Sequence, residues 1–432
     1  MSVKNKINIG VVGFGTIGSG VVKLLLEKRK FFYKRTGLDL NLKIVCDKDT
    51  SSKRDVKLPK GMLVKDVSKV IDDPEIDILV ELAGGVHPAK EIVLKALSSG
   101  KHIVTANKLL LATNGKEIFD KANKLNKNVL FEASVAGGIP IIKSIREGLA
   151  GNRFSSIFGI LNGTSNYILS KMTSEGASFE KALKEAQAKG YAEKDPSLDI
   201  NGLDSAHKLV ILSLLAFGKR IDLKDICVEG IEDITSLDIS YAKELGYIVK
   251  LLAIAKMHGG ELEVKVHPTL LPSEHLLSSV SGIYNAIFID SDLAGKQVFY
   301  GEGAGKHPTS SAVLSDIIDI GYDISSKRKL KSSGIVREEV KKLRKMKDAS
   351  SRYYVHFSAI DQPGVLARIT DILGRHNISI ASVVQKEREV MKIVPIIMIT
   401  HEARELDMQN ALSKIDKLGA IKRKSVLIRI ER

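Results

Sequence analysis

A glycine-rich turn near the N-terminus constrains the fold most strongly. An apolar segment, INIGVVG at 7–13, leads into a G-x-G-x-x-G turn and then into a helical pattern from Ile17 to about Lys30. Glycines at these positions permit a tight turn and let the backbone approach a pyrophosphate at the helix N-terminus. The pattern alone is weak, but its place between a strand and a helix makes it specific. The sequence therefore predicts a dinucleotide-binding turn at Gly13, Gly15, Thr16, Ile17 and Gly18.

Strand-like and helical segments alternate along the first third of the chain. Strand-like segments occur at 42–47, 77–82, 102–105 and 129–133, and helical patterns lie between them at 89–99 and 115–125. This alternation is typical of a parallel sheet with helices on both faces. The sequence thus predicts an α/β fold, a Rossmann-type doubly wound parallel sheet. We expect a dinucleotide-binding domain at 1–135, completed by residues of about 301–322.

The remaining two thirds indicate two further units. Helical patterns dominate from about residue 140, with strand-like pieces at 262–270 and 281–289, and they predict an α+β substrate-binding and dimerisation domain at 136–300. Residues 351–432 show the strand–helix–strand–strand–helix–strand order of a ferredoxin-like (βαββαβ) domain. A basic linker at 323–350 joins the two.

The formal net charge of +15 is concentrated in that linker. Between Lys327 and Lys347 ten Lys and Arg residues stand against only Glu338 and Glu339, so this segment alone carries +8. A run of like charge is usually a solvated segment. We therefore expect no nucleic-acid partner, and a basic protein also suits small anionic substrates.

The apolar runs and the cysteine count indicate in which compartment the protein occurs. No apolar run approaches the ~18–20 residues of a membrane span, and the N-terminus passes straight into a strand-like segment. Only Cys46 and Cys227 occur, which favours a reducing environment over a disulfide framework. We expect a cytoplasmic protein without membrane contact.

The end of the second predicted strand bears on the type of dinucleotide. Asp47 is placed to accept hydrogen bonds from a ribose 2′-hydroxyl, which favours NAD. Lys48 follows it, and with three further basic residues it could instead bind a 2′-phosphate, which favours NADP; these are Lys53, Arg54 and Lys57. Both cofactors remain open.

The segment 186–208 carries the clearest chemistry. Four carboxylates, Glu193, Asp195, Asp199 and Asp204, fall within twelve residues beside an Asp-Pro turn and lead into an apolar helix. Asp204 and Lys208 are four residues apart and share one helix face. Carboxylates suit a substrate ammonium group, and a lysine among them can donate a proton to a developing alkoxide.

This segment resembles the signature of the homoserine dehydrogenases. The fixed positions of that long pattern are filled by Ala186, Gly190, Asp195, Pro196, Asp199, Gly202, Asp204 and Lys208. Similar blocks occur at 81–85 (ELAGG), 105–108 (TANK), 132–140 (EASVAGGIP), 159–166 (GILNGTSN) and 301–312 (GEGAGKHPTSSA), so the resemblance covers about residues 7–320. It implies NAD(P)-dependent interconversion of L-aspartate 4-semialdehyde and L-homoserine in threonine, methionine and isoleucine biosynthesis.

The resemblance also implies roles for particular residues. Lys108 and Lys208 match the lysines at the reacting centre, and either could supply the proton; Lys108 also matches a cofactor contact. Glu193, Asp199 and Asp204 match acidic positions that hold the substrate amine and orient the lysine, and Thr164 matches a substrate contact. A structural Na⁺ or K⁺ ion is implied on the backbone carbonyls of Glu132, Val135, Gly137 and Ile139.

The C-terminal unit has a ligand-type loop of its own. Asp361-Gln-Pro-Gly364 lies between a predicted strand and helix and resembles the ligand loop of ACT domains, with Asn377 as a second contact. The implied ligand is an amino-acid effector, L-threonine; the alternative is a dimerisation module that binds nothing. We expect a homodimer or homotetramer.

Two other functions are compatible with parts of the sequence. A different Rossmann-type amino-acid dehydrogenase is disfavoured by the long pattern that ends at Lys208. A non-catalytic amino-acid sensor on a decayed dehydrogenase fold is disfavoured because both lysines and all the carboxylates are present.

Overall fold

The chain folds around two β-sheets in a computed structural model that describes residues 4–326, 340, 342–386 and 392–431. In these ranges no helix combines the length and apolar character needed to cross a membrane. Half of the predicted linker, 327–339 with 341, lies outside the described residues.

The N-terminal third forms a six-stranded parallel sheet in the order β3-β2-β1-β4-β5-β6. Its strands are β1 (Lys6–Val12), β2 (Asp39–Cys46), β3 (Leu63–Val64), β4 (Ile78–Glu81), β5 (His102–Thr105) and β6 (Val129–Leu130). Its helices are α1 (Thr16–Glu27), α2 (Arg29–Thr36), α3 (Ser68–Ile71), α4 (Ala89–Ser98) and α5 (Lys108–Lys124). This is the Rossmann strand order, and it reverses beside β1, where a dinucleotide binds in such folds. The predicted fold class is confirmed.

A mixed sheet follows, in the order β12-β11-β7-β9-β10. Its strands are β7 (Phe154–Ile160), β8 (Cys227–Val228, paired with β10), β9 (Tyr247–His258), β10 (Glu261–Pro272), β11 (Tyr284–Ser291) and β12 (Gly295–Glu302). Its helices are α6 (Ile141–Lys143, continued by a π-helical turn over Ser144–Gly148), α7 (Gly163–Glu175), α8 (Phe179–Ala188), α9 (Ser197–Ile200), α10 (Leu203–Phe217) and α11 (Ser236–Glu244).

Helix α12 (Lys306–Ser326) then returns to the parallel sheet and packs against α1. The helices approach so closely that a Cβ on Gly20 would lie 2.4 Å from Ser310 Oγ, so only glycine fits there. Both helices share a buried apolar core with β1 on one face of the sheet, whereas α3, α4 and α5 pack on the other face. The sheet is therefore covered on both sides.

The described part of the C-terminal segment adds six strands to the mixed sheet. After β13 (Lys342–Leu343) come β14 (Ser350–Ile360), α13 (Val365–Arg375), β15 (Ile380–Val384), β16 (Ile393–Thr400), β17 (Ala403–Arg404), α14 (Glu405–Ile415) and β18 (Val426–Ile430). Strand β18 pairs with β14 and, in parallel, with β10, through Thr269↔Arg429 and Leu270↔Ile430. One continuous sheet therefore joins this module to the middle of the chain.

The observed elements differ from the sequence-based ones in the middle of the chain. Strands β7, β9 and β12 were not predicted. Strand β9 is buried along most of its length, so it shows no alternation of polar and apolar residues. The predicted strand at 129–133 ends after Leu130, because residues 132–134 form a 3₁₀ turn.

A buried aspartate fastens the C-terminal module to α11. Asp238 is fully buried, and its Oδ1 accepts hydrogen bonds from the Tyr354 hydroxyl (3.0 Å) and His356 Nδ1 (2.8 Å). Its Oδ2 accepts from the backbone and side chain of Thr235, which caps the helix. Burial by itself would raise the pKa of Asp238, but the hydrogen bonds from His356 and Thr235 outweigh it and hold the pKa below its ordinary value.

Substitution Asp238→Asn is expected to destabilise the protein by ~1–3 kcal/mol. It replaces one of the two acceptor oxygens by an NH2 group, which donates and cannot accept, and so leaves a buried donor without its acceptor. Urea denaturation of both proteins measures the change. Asp371→Asn, which removes an exposed pair with Arg375 on α13, is the control and should leave the midpoint unchanged. Equal midpoints for Asp238→Asn and the unsubstituted chain would contradict the assignment.

Candidate active site

Helix α10 carries the centre of the site on its first two turns. It begins after Gly202, whose left-handed backbone (φ 84°) admits glycine readily. Lys208 Nζ lies 2.7 Å from Asp204 Oδ2 and donates a second hydrogen bond to the carbonyl of Leu161 (2.6 Å). Both side chains are almost fully buried. The four-residue spacing therefore produces the pair that the sequence suggested.

A second lysine reaches the same carboxylate from the parallel sheet. Lys108 is the first residue of α5, and its Nζ lies 2.6 Å from Asp204 Oδ1. The preceding Asn107 caps the helix by accepting from Leu110 N, and its amide donates to the carbonyl of Gly85. Asp204 thus binds two ammonium groups from different helices, one on α10 and one on α5.

Asn162 connects this cluster to the carboxylate of Asp199. Its amide donates to Asp199 Oδ1 (2.7 Å) and to Asp204 Oδ2 (2.9 Å), while its carbonyl oxygen caps α7 by accepting from Ser165 N. Asn162 was not among the predicted site residues. An asparagine directly before a helical segment is a capping signal, and that signal could have found it.

Two of the predicted substrate residues lie at the rim of the cluster. Thr164, at the start of α7, donates to the carbonyl of Tyr191 (2.7 Å). Glu193 is exposed on the segment between α8 and α9. Its carboxylate forms no hydrogen bond or ion pair with another residue of the described ranges. The structure therefore brings Asp199, Asp204 and the two lysines together, and it leaves Glu193 free to face solvent or a ligand.

The electrostatics of the cluster follow from burial and charge. Burial by itself would raise the pKa of Asp204, but the charges of Lys208 and Lys108 outweigh it and hold that pKa well below its ordinary value. Burial lowers the pKa of Lys208, and the nearby charge of Lys108 lowers it further, against the opposing effect of Asp204. A lowered pKa makes the neutral form of this lysine more accessible, which suits a group that exchanges a proton with substrate.

The glycine-rich turn lies at the carboxyl end of β1. Gly13 has φ 98°, and a Cβ there would lie 2.5 Å from the backbone of Leu82; a Cβ on Gly18 would lie 2.0 Å from Gly13 O. Gly15 differs, since nothing lies within 4 Å of its Cβ position. A cavity of about 830 Å³ opens beside the turn. Two glycines therefore build the turn, and Gly15 leaves room for a pyrophosphate to approach.

The end of β2 supports that turn. The carboxylate of Asp47 accepts from Phe14 N and from Asp49 N, so it organises the turn as well as lining the cavity. The guanidinium of Arg54 lies over the Phe14 ring (5.2 Å) and donates to the Phe14 carbonyl (3.2 Å). Lys48 is exposed at the cavity wall. An acidic and a basic group are thus both available at the position that would meet a ribose.

The turn at 132–139 contains the carbonyls matched to a monovalent cation. Ala136 and Gly137 have positive φ (54° and 52°), which interrupts regular hydrogen bonding. Among described residues, no hydrogen bond is donated to the carbonyls of Val135 or Gly137, whereas Glu132 O and Ile139 O accept from Val135 N and Ile141 N. Neutral, unengaged carbonyl oxygens are suitable ligands for Na⁺ or K⁺.

The loop at 361–364 has a distinct geometry in the C-terminal module. Gly364 (φ 84°) precedes α13, and Asn377 also has positive φ (57°). Asp361 Oδ2 is shielded from solvent and, among the described residues, has no hydrogen-bond partner. A buried carboxylate oxygen without a partner is costly, and a ligand ammonium group would supply the missing donor.

The segment after β4 connects the dinucleotide-type cavity with the lysine cluster. The segment after β4 lines the dinucleotide-type cavity through Ala83 and Gly84, and Gly85 then accepts from Asn107 beside Lys108. A dinucleotide in the cavity and a small substrate at the lysines would therefore be neighbours. This arrangement defines a nicotinamide-dependent oxidoreductase with an attached ACT-type module.

Comparison with known proteins specifies the family. Residues 13–132 match the model of the homoserine dehydrogenase NAD-binding domain, 140–318 match the homoserine dehydrogenase model, and 353–420 match the ACT domain. Homoserine dehydrogenase from Neisseria gonorrhoeae is 42% identical over 429 residues, covering 98% of each chain, and that from Helicobacter pylori is 42% identical over 99% of this chain and 100% of its own.

Solved structures agree with this result. A homoserine dehydrogenase from Thiobacillus denitrificans is 41% identical with a TM-score of 0.92, over 100% of this chain and 99% of its own. A hyperthermophilic archaeal homoserine dehydrogenase in complex with NADPH is 28% identical with a TM-score of 0.61, over 75% of this chain. The chain belongs to the homoserine dehydrogenase family. The predicted family, NAD-binding domain and ACT domain are confirmed.

Two glycine substitutions separate turn geometry from nucleotide contact. Gly18→Ala is expected to disrupt the turn, because its Cβ would collide with backbone, and so to lower both thermal stability and nucleotide affinity. Gly15→Ala is expected to keep the stability of the unsubstituted protein and to weaken nucleotide binding. Thermal denaturation and calorimetric titration with NADP⁺ and NAD⁺ test the pair. Undiminished nucleotide affinity in Gly15→Ala would contradict this placement of the pyrophosphate.

Proposed function

We propose that the protein interconverts L-aspartate 4-semialdehyde and L-homoserine with NADP or NAD as cofactor, in threonine, methionine and isoleucine biosynthesis. The observation that carries this proposal is the Asp204 carboxylate between Lys208 and Lys108, beside a dinucleotide-type cavity. The bound nicotinamide supplies hydride to the aldehyde carbon and accepts it in the reverse direction.

The protein's own groups stabilise the charge on the substrate oxygen and exchange a proton with it. Lys208 is the first candidate for the group that gives a proton to this oxygen on reduction and removes it on oxidation, since it is buried and its pKa is lowered by burial. Lys108 is two-fifths exposed and follows Asn107, which contacts Gly85 beside the cavity wall, so it suits a role in binding both ligands. Asp204 holds the Nζ atoms of Lys208 and Lys108 in place, so it contributes to catalysis by positioning them.

The amino-acid end of the substrate needs anionic partners for its ammonium group. Asp199 is joined to the Asp204 cluster by the side chain of Asn162. The exposed Glu193 can approach the substrate from the solvent side. The hydroxyl of Thr164 completes the set at the start of α7. These residues would fix the substrate so that its reacting carbon faces the cavity.

The proposal also covers the type of cofactor and a monovalent cation. Asp47 favours NAD and the exposed Lys48 favours NADP, so we propose that the protein uses both cofactors. The hyperthermophilic archaeal relative is known in complex with NADPH. The unengaged carbonyls of Val135 and Gly137, with those of Glu132 and Ile139, would hold Na⁺ or K⁺. Such an ion would stiffen the turn and takes no part in the chemistry.

Regulation and assembly complete the proposed picture. The partnerless oxygen of Asp361, with Gly364 and Asn377, supports an amino-acid effector, and L-threonine is the proposed one. Tyr300 on the outer strand β12 and Leu293 in the turn before it are exposed apolar residues, and they support a homodimer or homotetramer.

We propose four units along the chain. They are a dinucleotide-binding domain at 1–135 completed by about 301–322, a substrate-binding and dimerisation domain at 136–300, a basic linker at 323–350 and an ACT domain at 351–432. Two free cysteines support a cytoplasmic location.

Lysine substitutions test the reaction centre. In Lys208→Ala we expect kcat for homoserine oxidation to fall ~10²–10⁴-fold, the usual range for loss of a general acid–base group, with nucleotide affinity unchanged. Reduction of NADP⁺ and NAD⁺ is followed by ultraviolet absorbance. Lys224→Ala, which removes an exposed ion pair with Asp222, is the control and should keep full activity. Unchanged turnover in Lys208→Ala would remove Lys208 from the mechanism.

The same assay with L-threonine tests the module. Suppression of activity would support both the dehydrogenase and the effector site. Activity that threonine does not change would indicate that the module serves assembly or binds another ligand. A folded protein supplied with Na⁺ or K⁺ that reduces neither nucleotide would favour a non-catalytic sensor.

A further inference from the structure

The C-terminal module carries a buried arginine that holds two carboxylates. Arg429 on β18 is 1% exposed. It donates to Glu405 through Nε (2.9 Å) and Nη2 (2.6 Å), and to Glu229 through Nη1 (2.7 Å) and Nη2 (2.9 Å). Glu405 belongs to the same module, whereas Glu229 follows β8 in the substrate half of the chain. This doubly bidentate contact therefore crosses between the two parts, and such pairs fix geometry strongly.

The two carboxylates are held very differently. Glu405 is 4% exposed and also accepts from the Tyr353 hydroxyl and the Gln409 amide, so it stays with Arg429. Glu229 is 41% exposed. It borders a cavity of about 580 Å³ whose wall includes Gln409 and Asp416 from the module. Glu229 is thus the partner that can separate from Arg429, because it has space and water beside it.

The loop that carries Glu229 is packed directly onto the substrate segment. Ile231 N donates to Ile200 O (2.8 Å) at the end of α9. A Cβ on Gly230 would lie 2.5 Å from the same carbonyl and 2.8 Å from Asn201 Cα. Backbone therefore touches backbone here, and a shift of the loop must move the end of α9.

Helix α9 is only four residues long and carries Asp199 one residue before Ile200. The Asp199 carboxylate is joined through Asn162 to Asp204, the residue that binds both lysines. A continuous series of contacts thus runs from Arg429 to the place where the substrate ammonium group is expected. The nucleotide turn lies on the other sheet and is not part of this series.

We propose that Glu229 is a positioning residue through which the C-terminal module sets Asp199, and thereby the affinity for the amino-acid substrate. The proposal rests on the proposed function of Asp199. An effector that shifts β18 or α14 changes the Arg429–Glu229 contact, moves the 229–231 loop and displaces α9. The module then controls substrate binding and leaves nucleotide binding alone.

Three variants test this series against a matched control. Glu229→Gln weakens the contact with Arg429, Glu229→Asp keeps the charge, and Gly230→Ala pushes on α9 from the loop side. Glu244→Gln is the control, since it removes the pair between Glu244 of α11 and Lys386 of the same C-terminal module, away from α9. Thermal denaturation confirms that each variant folds.

The expected result is a split between the two substrates. In Glu229→Gln and Gly230→Ala the KM for L-homoserine rises about fivefold or more, the size of a typical coupling between sites, while the KM for NADP⁺ stays constant. Glu229→Asp retains part of the affinity, and Glu244→Gln behaves as the unsubstituted protein. Where an amino-acid effector inhibits the unsubstituted protein, Glu229→Gln responds less.

Amide hydrogen exchange of residues 197–204 provides a readout that does not depend on activity. Exchange should increase in Glu229→Gln and stay unchanged in Glu244→Gln, because only the former loosens the support of α9. Unchanged exchange together with an unchanged KM for homoserine would overturn the inference. If the unsubstituted protein does not oxidise homoserine, the proposed function fails, and the exchange result alone then decides whether the series of contacts exists.

Discussion

The carboxylate of Asp204 is the interaction on which the cleft depends. It binds Lys208 from its own helix and Lys108 from the parallel sheet, at 2.7 and 2.6 Å. A fully buried ammonium group without a counter-charge is strongly unfavourable, so Lys208 could not remain charged in this position without Asp204. The same carboxylate therefore permits the buried lysine, fixes its position and draws the two halves of the site together.

The surrounding structure serves to hold that carboxylate and its partners. Asn162 and Asn107 each cap a helix with one end of the amide and hold the site with the other, so helix formation and site geometry use the same side chains. Helix α12 returns to close the parallel sheet, and its Asp316 accepts from Glu132 N at the start of the carbonyl turn. Burial and the neighbouring Glu132 raise the pKa of Asp316 well above its ordinary value.

Sequence patterns predicted the parts of the molecule that local rules determine. The glycine turn, the alternation of strands and helices, and the four-residue spacing of Asp204 and Lys208 each reflect constraints within a few residues. The pairing of β10 with β18 and the contact of Arg429 with Glu229 join residues far apart in the chain, and nothing local encodes them. The joining of the C-terminal module to the mixed sheet was therefore not predicted. The roles of the individual site residues were inferred from family resemblance, and they remain proposals.

The pH dependence of homoserine oxidation in Asp204→Asn tests the central claim most directly. The negative charge of Asp204 raises the pKa of Lys208, so removing it should lower that pKa further. Lys208 would then stay neutral, and able to accept a proton, down to lower pH. The account predicts that the acidic limb of kcat/KM for homoserine shifts to lower pH in Asp204→Asn, together with a large loss of rate. An acidic limb at the same pH as in the unsubstituted protein, or at higher pH, would contradict it.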